Sequence, residues 1–475
     1  MSGVGYLRGS PMRRLVLALS RAPAPVLAPV LLLEVELSRP ISDLPIRDEG
    51  IRFGSARVLV KLHDQPLGVM QLTLNDLRSV QTLGAEIEAA FGGEIDQHLD
   101  SDGLDRSAVP LRGGAAIADS DPLPCQPVVG RDMFVSVVIP TVGRESLTQT
   151  VESVLRSTHR DLEVVVVDNT AWNPIARDIV GRVQVSDSRV RYAVEPRPGA
   201  SSARNHGLRA AKGAIVAFTD DDAVVDERWL TATLRGFQRA DRVVAVTGLT
   251  VPQKLDTPAE VAFELYGGFG KGFQQRLYDL DVHRGPGLLY PYTVGFGAGN
   301  NMAVVKEAVL ALGGFDDALG PGTPTYADED LDLLLRIVLA GHQVSYEPSA
   351  IVRHAHRSDW DGLKWQVFTY SAAMTAMLTK AATSDRRTAS FFARQIPKVL
   401  PKALVRGRRM APTERAAPSH TSHQRETSLL LLERLGFVYG PIGYARSAAP
   451  ALLRHWIARR RPVPSEERER RSHRR

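Results

Sequence analysis

Short apolar runs alternate with amphipathic segments between residues 134 and 356. Strands of a parallel sheet that helices cover on both sides are apolar on both faces, whereas the covering helices repeat with a period of about 3.6 residues. The alternation therefore predicts an α/β domain with a mostly parallel central sheet, which we place at residues 131–357. Strands are predicted at Val135–Ile139, Leu162–Val167, Val190–Val194, Ala214–Phe218, Val243–Thr247 and Val344–His356, and helices at Glu145–Ser157 and Ser201–Ala211.

The first 130 residues have a different pattern. Strand-like runs lie at Val30–Leu37, Ala56–Leu62 and Leu67–Leu74, and a helical period lies near Leu77–Phe91. The stretch from Asp100 to Arg131 is rich in Gly, Pro and Asp, which predicts a linker. We therefore expect a small accessory α+β domain and a linker at residues 1–130.

The last zone, residues 358–475, is rich in Ala, Leu and Arg. This composition predicts a helical, basic region, with a loop at 408–426 and a disordered tail at 462–475. Its excess of basic residues contributes much of the formal net charge of +6 and predicts either contact with anionic lipid headgroups or a solvated surface. Because the tail arginines alternate with glutamates and lack stacking aromatics, no nucleic-acid partner is expected.

Cysteine content and hydropathy bear on the cellular compartment of the protein and on its association with membranes. Cys125 is the only cysteine, which excludes an internal disulfide and any cysteine-based zinc cluster and fits a reducing compartment. The apolar stretch from Leu15 to Leu37 is interrupted by Arg21 and Glu34, and no window of about 18 to 20 apolar residues occurs. We therefore expect a cytoplasmic protein without a spanning helix, with peripheral contact at the inner face of the membrane as an alternative.

The most informative chemistry lies where predicted strands end. Ligands of open α/β sheets bind beyond the carboxyl ends of the strands. The fourth strand stops on three consecutive carboxylates, Asp220, Asp221 and Asp222. Adjacent like charges repel unless a cation or a metal-bound diphosphate gathers them, so the triplet predicts a site for a divalent cation, Mn or Mg. Asp168, at the end of the second strand, suits a hydrogen bond to a base or ribose, although Asp is equally common as a turn or cap residue.

Four later segments carry further polar groups. Serines near Ser201 suit a helix cap, and Arg204 lies where it can reach a phosphate or a carboxylate. The glycine-rich turn Gly295–Ala303 permits a close backbone approach to a substrate. Asp330 begins a helix, where the dipole favours the ionised form that a general base needs. His354 can add a nitrogen to the cation. Turns, helix caps and surface histidines are the alternatives for each segment seen alone.

Taken in order, these motifs resemble the inverting family 2 glycosyltransferases, whose nucleotide-sugar-binding fold is called GT-A. The resemblance covers roughly Phe134–His356, about half of the chain. It rests on the opening Val135-Ser-Val-Val-Ile-Pro-Thr, on Val164–Asn169, on Ala203-Arg-Asn-His-Gly-Leu208, on Asp220-Asp-Asp222 as the Asp-x-Asp motif, and on Asp328-Glu-Asp330 followed by Leu331, Leu333, Arg336 and Gly341.

The resemblance implies a role for each matching residue. Asp330 is the implied catalytic base, and Asp220, Asp222 and His354 are the implied metal ligands. The implied residues on the nucleotide-sugar side are Pro140, Thr141, Arg144, Asp168, Arg204, Asp220 and Asp221, and those on the acceptor side are Gly299, Asn300, Asn301 and Glu329. A donor of the UDP or dTDP type and a glycan or lipid-linked acceptor are expected, in cell-surface glycan or glycoconjugate synthesis.

The implied reaction agrees with the reasoning from residues. A divalent cation would neutralise the diphosphate of the leaving group, and Asp330 would deprotonate an acceptor hydroxyl that attacks the anomeric carbon from the opposite face. The Gln-x-x-Arg-Trp motif and the spanning helices of processive members do not occur, so a polymer-extruding synthase is not expected. A nucleotidyltransferase and a nucleotide-sugar-binding protein that has lost catalysis remain the alternatives.

Overall fold

The protein is described here from a computed structural model. The described residues are 11–18, 28–41, 53–73, 79–106, 109, 123–126, 133–170, 172–280, 295–384, 389–390, 393–394 and 427–460. The loop predicted at 408–426 and the tail predicted at 462–475 lie outside them, as does most of the predicted linker.

A large mixed sheet forms the centre of the molecule. Its strands are β4 (Val135–Thr141), β5 (Leu162–Asp168), β6 (Val190–Val194), β7 (Ile215–Phe218), β8 (Ala223–Val225), β9 (Val243–Pro252), β10 (Arg276–Tyr278), β11 (Met302–Val305) and β12 (Gln343–His354). The order is β10-β12-β9-β11-β7-β4-β5-β6, and β8 pairs with β12 outside this path. The strands predicted in this region therefore form; β6 agrees at both ends, and the ends of the others differ by at most five residues.

The sheet is mixed rather than mostly parallel. β4, β5, β6 and β7 are parallel neighbours, as are β9 and β12. However, β11 runs antiparallel to both β7 and β9, and β12 is antiparallel to β8 and β10. The apolar runs did not reveal this, because a strand buried on both faces has the same composition in either direction. The insertion of β11 brings the glycine-rich turn before it to the carboxyl end of β7.

Helices cover both faces of this sheet. They are α3 (Leu147–Leu155), α4 (Ile175–Gln184), α5 (Ala200–Ala210), α6 (Trp229–Phe237), α7 (Pro258–Tyr266), α8 (Lys306–Ala311) and α9 (Glu329–Leu339). The strand residues between these helices are almost fully buried. Val138 and Val165 pack against α5, and Val137 and Val164 are buried on the opposite face of the sheet. Burial of whole side chains on both faces is the main favourable contribution to the stability of such a sheet.

The N-terminal residues form a smaller unit. The strands β1 (Val30–Glu36), β2 (Ser55–Leu62) and β3 (Gln65–Thr73) make a three-stranded sheet in the order β1-β2-β3. The helix α2 (Val80–Asp102) packs its Leu83, Ile87, Phe91 and Ile95 on that sheet. This helix is longer than predicted: it includes Asp100, which the sequence had suggested as the start of the linker, because the apolar period continues through Ile95 and Leu99. A short helix, α1 (Pro11–Ala18), precedes the unit.

Two long helices, α10 (Trp360–Thr383) and α11 (Thr427–Arg460), form the C-terminal region. They approach closely through Gly436 and Gly440 of α11, where an added Cβ would lie 2.4 Å from the Phe368 carbonyl oxygen and 2.2 Å from that of Ala372. The α/β core, the N-terminal α+β unit and the helical C-terminal region are therefore confirmed, while domain limits at 130 and 357 stay predictions. Among the described residues, no helix is both long enough and apolar enough to cross a membrane.

Candidate active site

A deep cleft of about 980 Å³ opens at the carboxyl ends of β4, β5 and β7. The glycine-rich turn before β11, the start of α9 and the side of α10 form its other walls. Most of the predicted site residues line this cleft: Pro140, Thr141, Arg144, Arg204, Asp220, Asp221, Asp222, Gly299, Asn300, Glu329, Asp330 and His354. Asp168 and Asn301 are the two predicted residues that are absent from this lining.

Three side chains converge on one point of the cleft wall. Single ligand atoms of Asp220, Asp222 and His354 all lie within 4.8 Å of one another. Nε2 of His354 is 3.1 Å from Oδ1 of Asp222 and 3.9 Å from Oδ2 of Asp220. Nδ1 of His354 makes no hydrogen bond to any described residue, so Nε2 is the nitrogen held toward the carboxylates. Antiparallel pairing of β8 with the end of β12 produces this approach, because it places His354 opposite Ala223.

The charged groups of this cluster shift one another's pKa. Burial acts to raise the pKa of Asp222, but His354 and Arg144 outweigh it and hold that pKa far below its usual range. Conversely, burial acts to lower the pKa of His354, while Asp222 and Asp220 raise it above its ordinary value. The cluster therefore favours a positive charge between its two carboxylates.

Asp221 has a different environment from its two neighbours. Its Oδ2 accepts a hydrogen bond of 2.7 Å from the Thr141 hydroxyl, and its Oδ1 is 3.0 Å from the Arg144 guanidinium. Burial, together with the nearby Asp222, raises the pKa of Asp221 to about 6 in spite of Arg144. Asp221 thus connects the end of β4 to the triplet, and only 4% of it is exposed to a ligand in the cleft.

Arg204 connects the triplet to the start of α9. Its guanidinium lies 3.0 Å from Oδ1 of Asp220 and forms an ion pair with Glu329. Burial raises the pKa of Glu329 to about 7, although Arg204 opposes this shift. The predicted reach of Arg204 to a carboxylate is seen. The predicted serine cap is wrong: α5 begins at Ala200 after Gly199, and Ser201 lies inside the helix and donates to the Leu319 carbonyl.

Asp330 lines the cleft from the first turn of α9. Its Oδ2 accepts a hydrogen bond from the Gly299 backbone N–H, and its Oδ1 accepts one of 2.8 Å from the N–H of Leu331. Both oxygens are therefore oriented by backbone donors. The approach of Gly299 is so close that a Cβ there would lie 2.8 Å from Oδ2 of Asp330, so a larger residue at this position would displace the carboxylate.

Two predicted site residues have their polar groups engaged in the fold. Asp168 is fully buried, accepts from the Tyr192 hydroxyl at 2.6 Å and accepts from the Thr170 N–H at 2.8 Å, which is the turn arrangement weighed as its alternative. Asn301 accepts from Trp229 Nε1 at 2.8 Å and donates to two strand carbonyls. Its neighbour Asn300 lines the cleft and accepts from the Thr250 hydroxyl at 3.1 Å.

Sequence reasoning did not assign the aromatic residues of the cleft. Trp172, Phe269, Tyr326, Trp365 and Tyr370 all line it, and Trp172 is 82% exposed. A tryptophan among the polar residues that follow β5 was a usable signal, because a large exposed aromatic ring without apolar neighbours is typical of a binding surface. The rings from α10 carry no such local signal, since their period matches a buried helix.

Comparisons with known proteins agree with this architecture. Residues 136–307 match the family described as glycosyl transferase family 2. A glucosyl-dolichyl phosphate glucuronosyltransferase of Haloferax volcanii is 27% identical over 54% of this chain and 81% of its own length. A pre-mycofactocin glycosyltransferase of Mycobacterium tuberculosis is 29% identical over 48% of this chain, and the match spans only 44% of that relative.

Solved structures with a similar chain path include a mannosyltransferase and S. aureus TarS. A mannosyltransferase of Pyrobaculum calidifontis, in complex with GDP-mannose and Mn2+, aligns with a TM-score of 0.44 and 17% identity over 76% of this chain and 99% of its own. S. aureus TarS aligns with a TM-score of 0.40 and 14% identity, over 58% of this chain and 74% of its own.

The family match and the named relatives define the class: the protein is a glycosyltransferase. The chain carries a domain of glycosyl transferase family 2, as its motifs predicted. The matched segment ends at residue 307 and therefore includes the acidic triplet but neither Asp330 nor His354.

Proposed function

We propose that this protein is a metal-dependent, inverting glycosyltransferase that uses Asp330 to deprotonate an acceptor hydroxyl. One observation carries the proposal. Asp220, Asp222 and His354 converge within 4.8 Å on the wall of the same cleft that Asp330 lines from the start of α9. A cation-binding group and a separate oriented carboxylate are the two elements that this reaction requires.

The donor set fits a divalent cation. Two carboxylate oxygens and one imidazole nitrogen suit Mn or Mg, and the raised pKa of His354 records the excess of negative charge there. When bound, such a cation would supply Lewis-acid stabilisation of the departing diphosphate. Arg144 and Arg204 line the cleft beside the triplet, where their planar guanidinium groups would pair with the phosphates.

Asp330 is suited to accept a proton because its carboxylate is oriented before any substrate binds. The N–H groups of Gly299 and Leu331 each hold one of its oxygens. A base that is already oriented does not lose freedom in the transition state, and positioning of this kind contributes several kcal/mol to catalysis. Attack from the side of Asp330 on a sugar whose diphosphate lies by the triplet inverts the anomeric centre.

A named relative and the surface of α11 bear on the acceptor. A UDP or dTDP donor remains our prediction. The glucuronosyltransferase relative is named for a lipid-linked sugar, which favours a lipid-linked acceptor over a free one and a role in glycoconjugate synthesis. Exposed Leu431, Val438 and Ile442 lie on the basic helix α11, which is consistent with peripheral contact at a membrane surface.

Two substitutions test the reaction. Asp330→Asn keeps the shape of the side chain but removes the base, so we expect kcat to fall by about 10²- to 10⁴-fold with little change in donor affinity. Asp222→Ala removes a metal ligand, so donor affinity should weaken and lose its dependence on Mn. Asp178→Asn on the exposed face of α4 is the matched control for a lost carboxylate.

The measurements are donor titrations with and without Mn, product assays and determination of the anomeric configuration. A panel of nucleotide sugars in a thermal-shift assay identifies the donor, because a ligand that binds only the folded state raises Tm. Near-normal transfer by Asp330→Asn would contradict the base assignment, and retention of configuration would contradict inversion.

A further inference from the structure

A second group of potential ligands lies in the N-terminal unit, and none of its residues lines the cleft. It consists of His63, His98, Asp102 and Cys125, which come from three separate parts of the chain. His63 lies in the turn between β2 and β3, His98 and Asp102 lie one turn apart on α2, and Cys125 belongs to the described segment 123–126. We refer to these four residues as the His-Asp-Cys cluster.

The four side chains present one ligand atom each to a common point. Nδ1 of His63 is 2.9 Å from Oδ2 of Asp102, 3.2 Å from Nε2 of His98 and 3.7 Å from Sγ of Cys125. Nε2 of His98 is also 3.2 Å from Oδ2 of Asp102. All four atoms lie within 4.8 Å of one another. Ligand atoms at the corners of a zinc tetrahedron are separated by roughly 3.3–3.7 Å at the usual bond lengths, so the observed spacings are close to those of a metal site.

The same geometry argues against a catalytic triad. In a nucleophile-histidine-acid triad, one ring nitrogen faces the nucleophile and the other faces the acid. Here both Asp102 and Cys125 approach Nδ1 of His63, and Nε2 of that ring is buried without a hydrogen bond to any described residue. The ligand atoms converge on a point rather than forming a relay.

The surroundings hold the cluster in place. His63 and the next residue have φ values of 52° and 61°, and the Glu36 carboxylate accepts hydrogen bonds from both of their backbone N–H groups, at 2.9 Å and 2.8 Å. Oδ1 of Asp102, the oxygen that faces away from His63, accepts from the Cys125 N–H at 2.8 Å. Because these hydrogen bonds fix the ligands, the four groups do not depend on a cation to find one another.

We propose that the His-Asp-Cys cluster is a tetrahedral site for a divalent cation of the zinc class. Two imidazole nitrogens, one carboxylate oxygen and one thiolate complete a four-coordinate shell, and this ligand set favours zinc over Mn or Mg. The side chain of Asp102 is 0% exposed and that of His63 is 3% exposed, so a substrate has little access to these two ligands. A closed shell of four protein ligands is structural: it ties the β2–β3 turn to α2 and to the segment that leads toward β4. The single cysteine excludes clusters built from several cysteines but not this mixed shell.

Cobalt substitution in the full-length protein tests the site directly. After treatment with a strong chelator, the protein is titrated with Co2+ and its absorption spectrum is recorded. We expect one equivalent to produce a thiolate-to-cobalt charge-transfer band and the intense visible bands of a tetrahedral ion. Because Cys125 is the only cysteine in the chain, that band assigns the ligand without any substitution. One equivalent of zinc should abolish it by displacement.

Variants and a stability readout complete the test. Cys125→Ser should lose the charge-transfer band, and His98→Ala should weaken cobalt binding at least tenfold. His354→Ala, which changes the other candidate metal group, is the matched control and should keep the band. Zinc should raise Tm of the chelated wild type and of His354→Ala but not of Cys125→Ser. Absence of the band in the wild type overturns the proposal, and so does loss of the band in His354→Ala. Neither result depends on whether Cys125→Ser folds.

Discussion

Replacement of Gly299 by alanine tests whether the position of Asp330 controls the rate. Gly299 lies in the turn before β11 and donates its N–H to the Asp330 carboxylate. Its backbone is not in the left-handed region, so alanine is allowed there without backbone strain. The new methyl group would lie 2.8 Å from Oδ2, 2.9 Å from Cβ and 3.1 Å from Cγ of Asp330. The substitution therefore acts on the base and leaves the acidic triplet untouched.

The expected magnitude follows from these distances. Ordinary van der Waals contact begins at 3.4 Å, so the Asp330 side chain must move by about 0.5 Å or more. A displacement of about 1 Å at a reacting group costs about 10²-fold in rate, which corresponds to about 2.7 kcal/mol in the activation free energy. We expect kcat to fall between about 10- and 100-fold, less than for Asp330→Asn, since the carboxylate is still present.

Steady-state kinetics and donor titration by calorimetry measure the two effects separately. Donor affinity should remain within about twofold of the wild type, because the new methyl group contacts Asp330 and none of the residues proposed to face the diphosphate. Gly181→Ala, on the open surface of α4 with no atom within 4 Å of the new methyl, is the control and should have normal kinetics. An unchanged kcat in Gly299→Ala, or an equal loss of donor affinity and rate, would refute the positioning argument.

Two further predictions concern groups outside the reaction. The buried Glu264 bridges Arg57 of the N-terminal unit, at 2.9 Å, and His356, at 2.6 Å, so Glu264→Gln should lower the free energy of unfolding by about 3 kcal/mol in denaturant titrations near pH 7. Burial acts to raise the pKa of Glu264, but these partners hold it below its usual 4.5, so the difference between wild type and variant should persist above that pH and shrink as pH falls below it. Asn301→Ala should destabilise the fold by about 2 kcal/mol, because Trp229 Nε1 and two strand carbonyls lose their hydrogen bonds to Asn301. We expect the KM for the acceptor to stay unchanged. A selective rise in that KM would instead support the assignment of Asn301 to the acceptor side.

Local pattern was sufficient for much of the α/β core. The apolar runs of β4, β5, β6 and β7 predict strands because a segment buried on both faces must be apolar throughout its length. The position of the acidic triplet after β7 follows from the same pattern, and the carboxyl ends of adjacent parallel strands necessarily share one edge of the sheet. The cleft at that edge was therefore predictable before any contact was known.

Only the tertiary structure decided how the three carboxylates divide their tasks. Asp220 and Asp222 face His354, whereas Asp221 faces Thr141. The triplet lies in the turn between β7 and β8, and the path of that turn depends on the elements around it. The direction of β11 and the engagement of Asn301 within the sheet were equally hidden, since composition does not record strand direction or hydrogen-bond partners.

The His-Asp-Cys cluster gives the clearest contrast between the two levels. The sequence determined that a single cysteine and scattered histidines exist, and the i, i+4 spacing of His98 and Asp102 places them on one face of a helix. It did not determine that His63 and Cys125, 62 residues apart, meet at that face. Local interactions fix the period of each element, but contacts between elements depend on how buried surfaces pack against one another, and no local pattern contains that information.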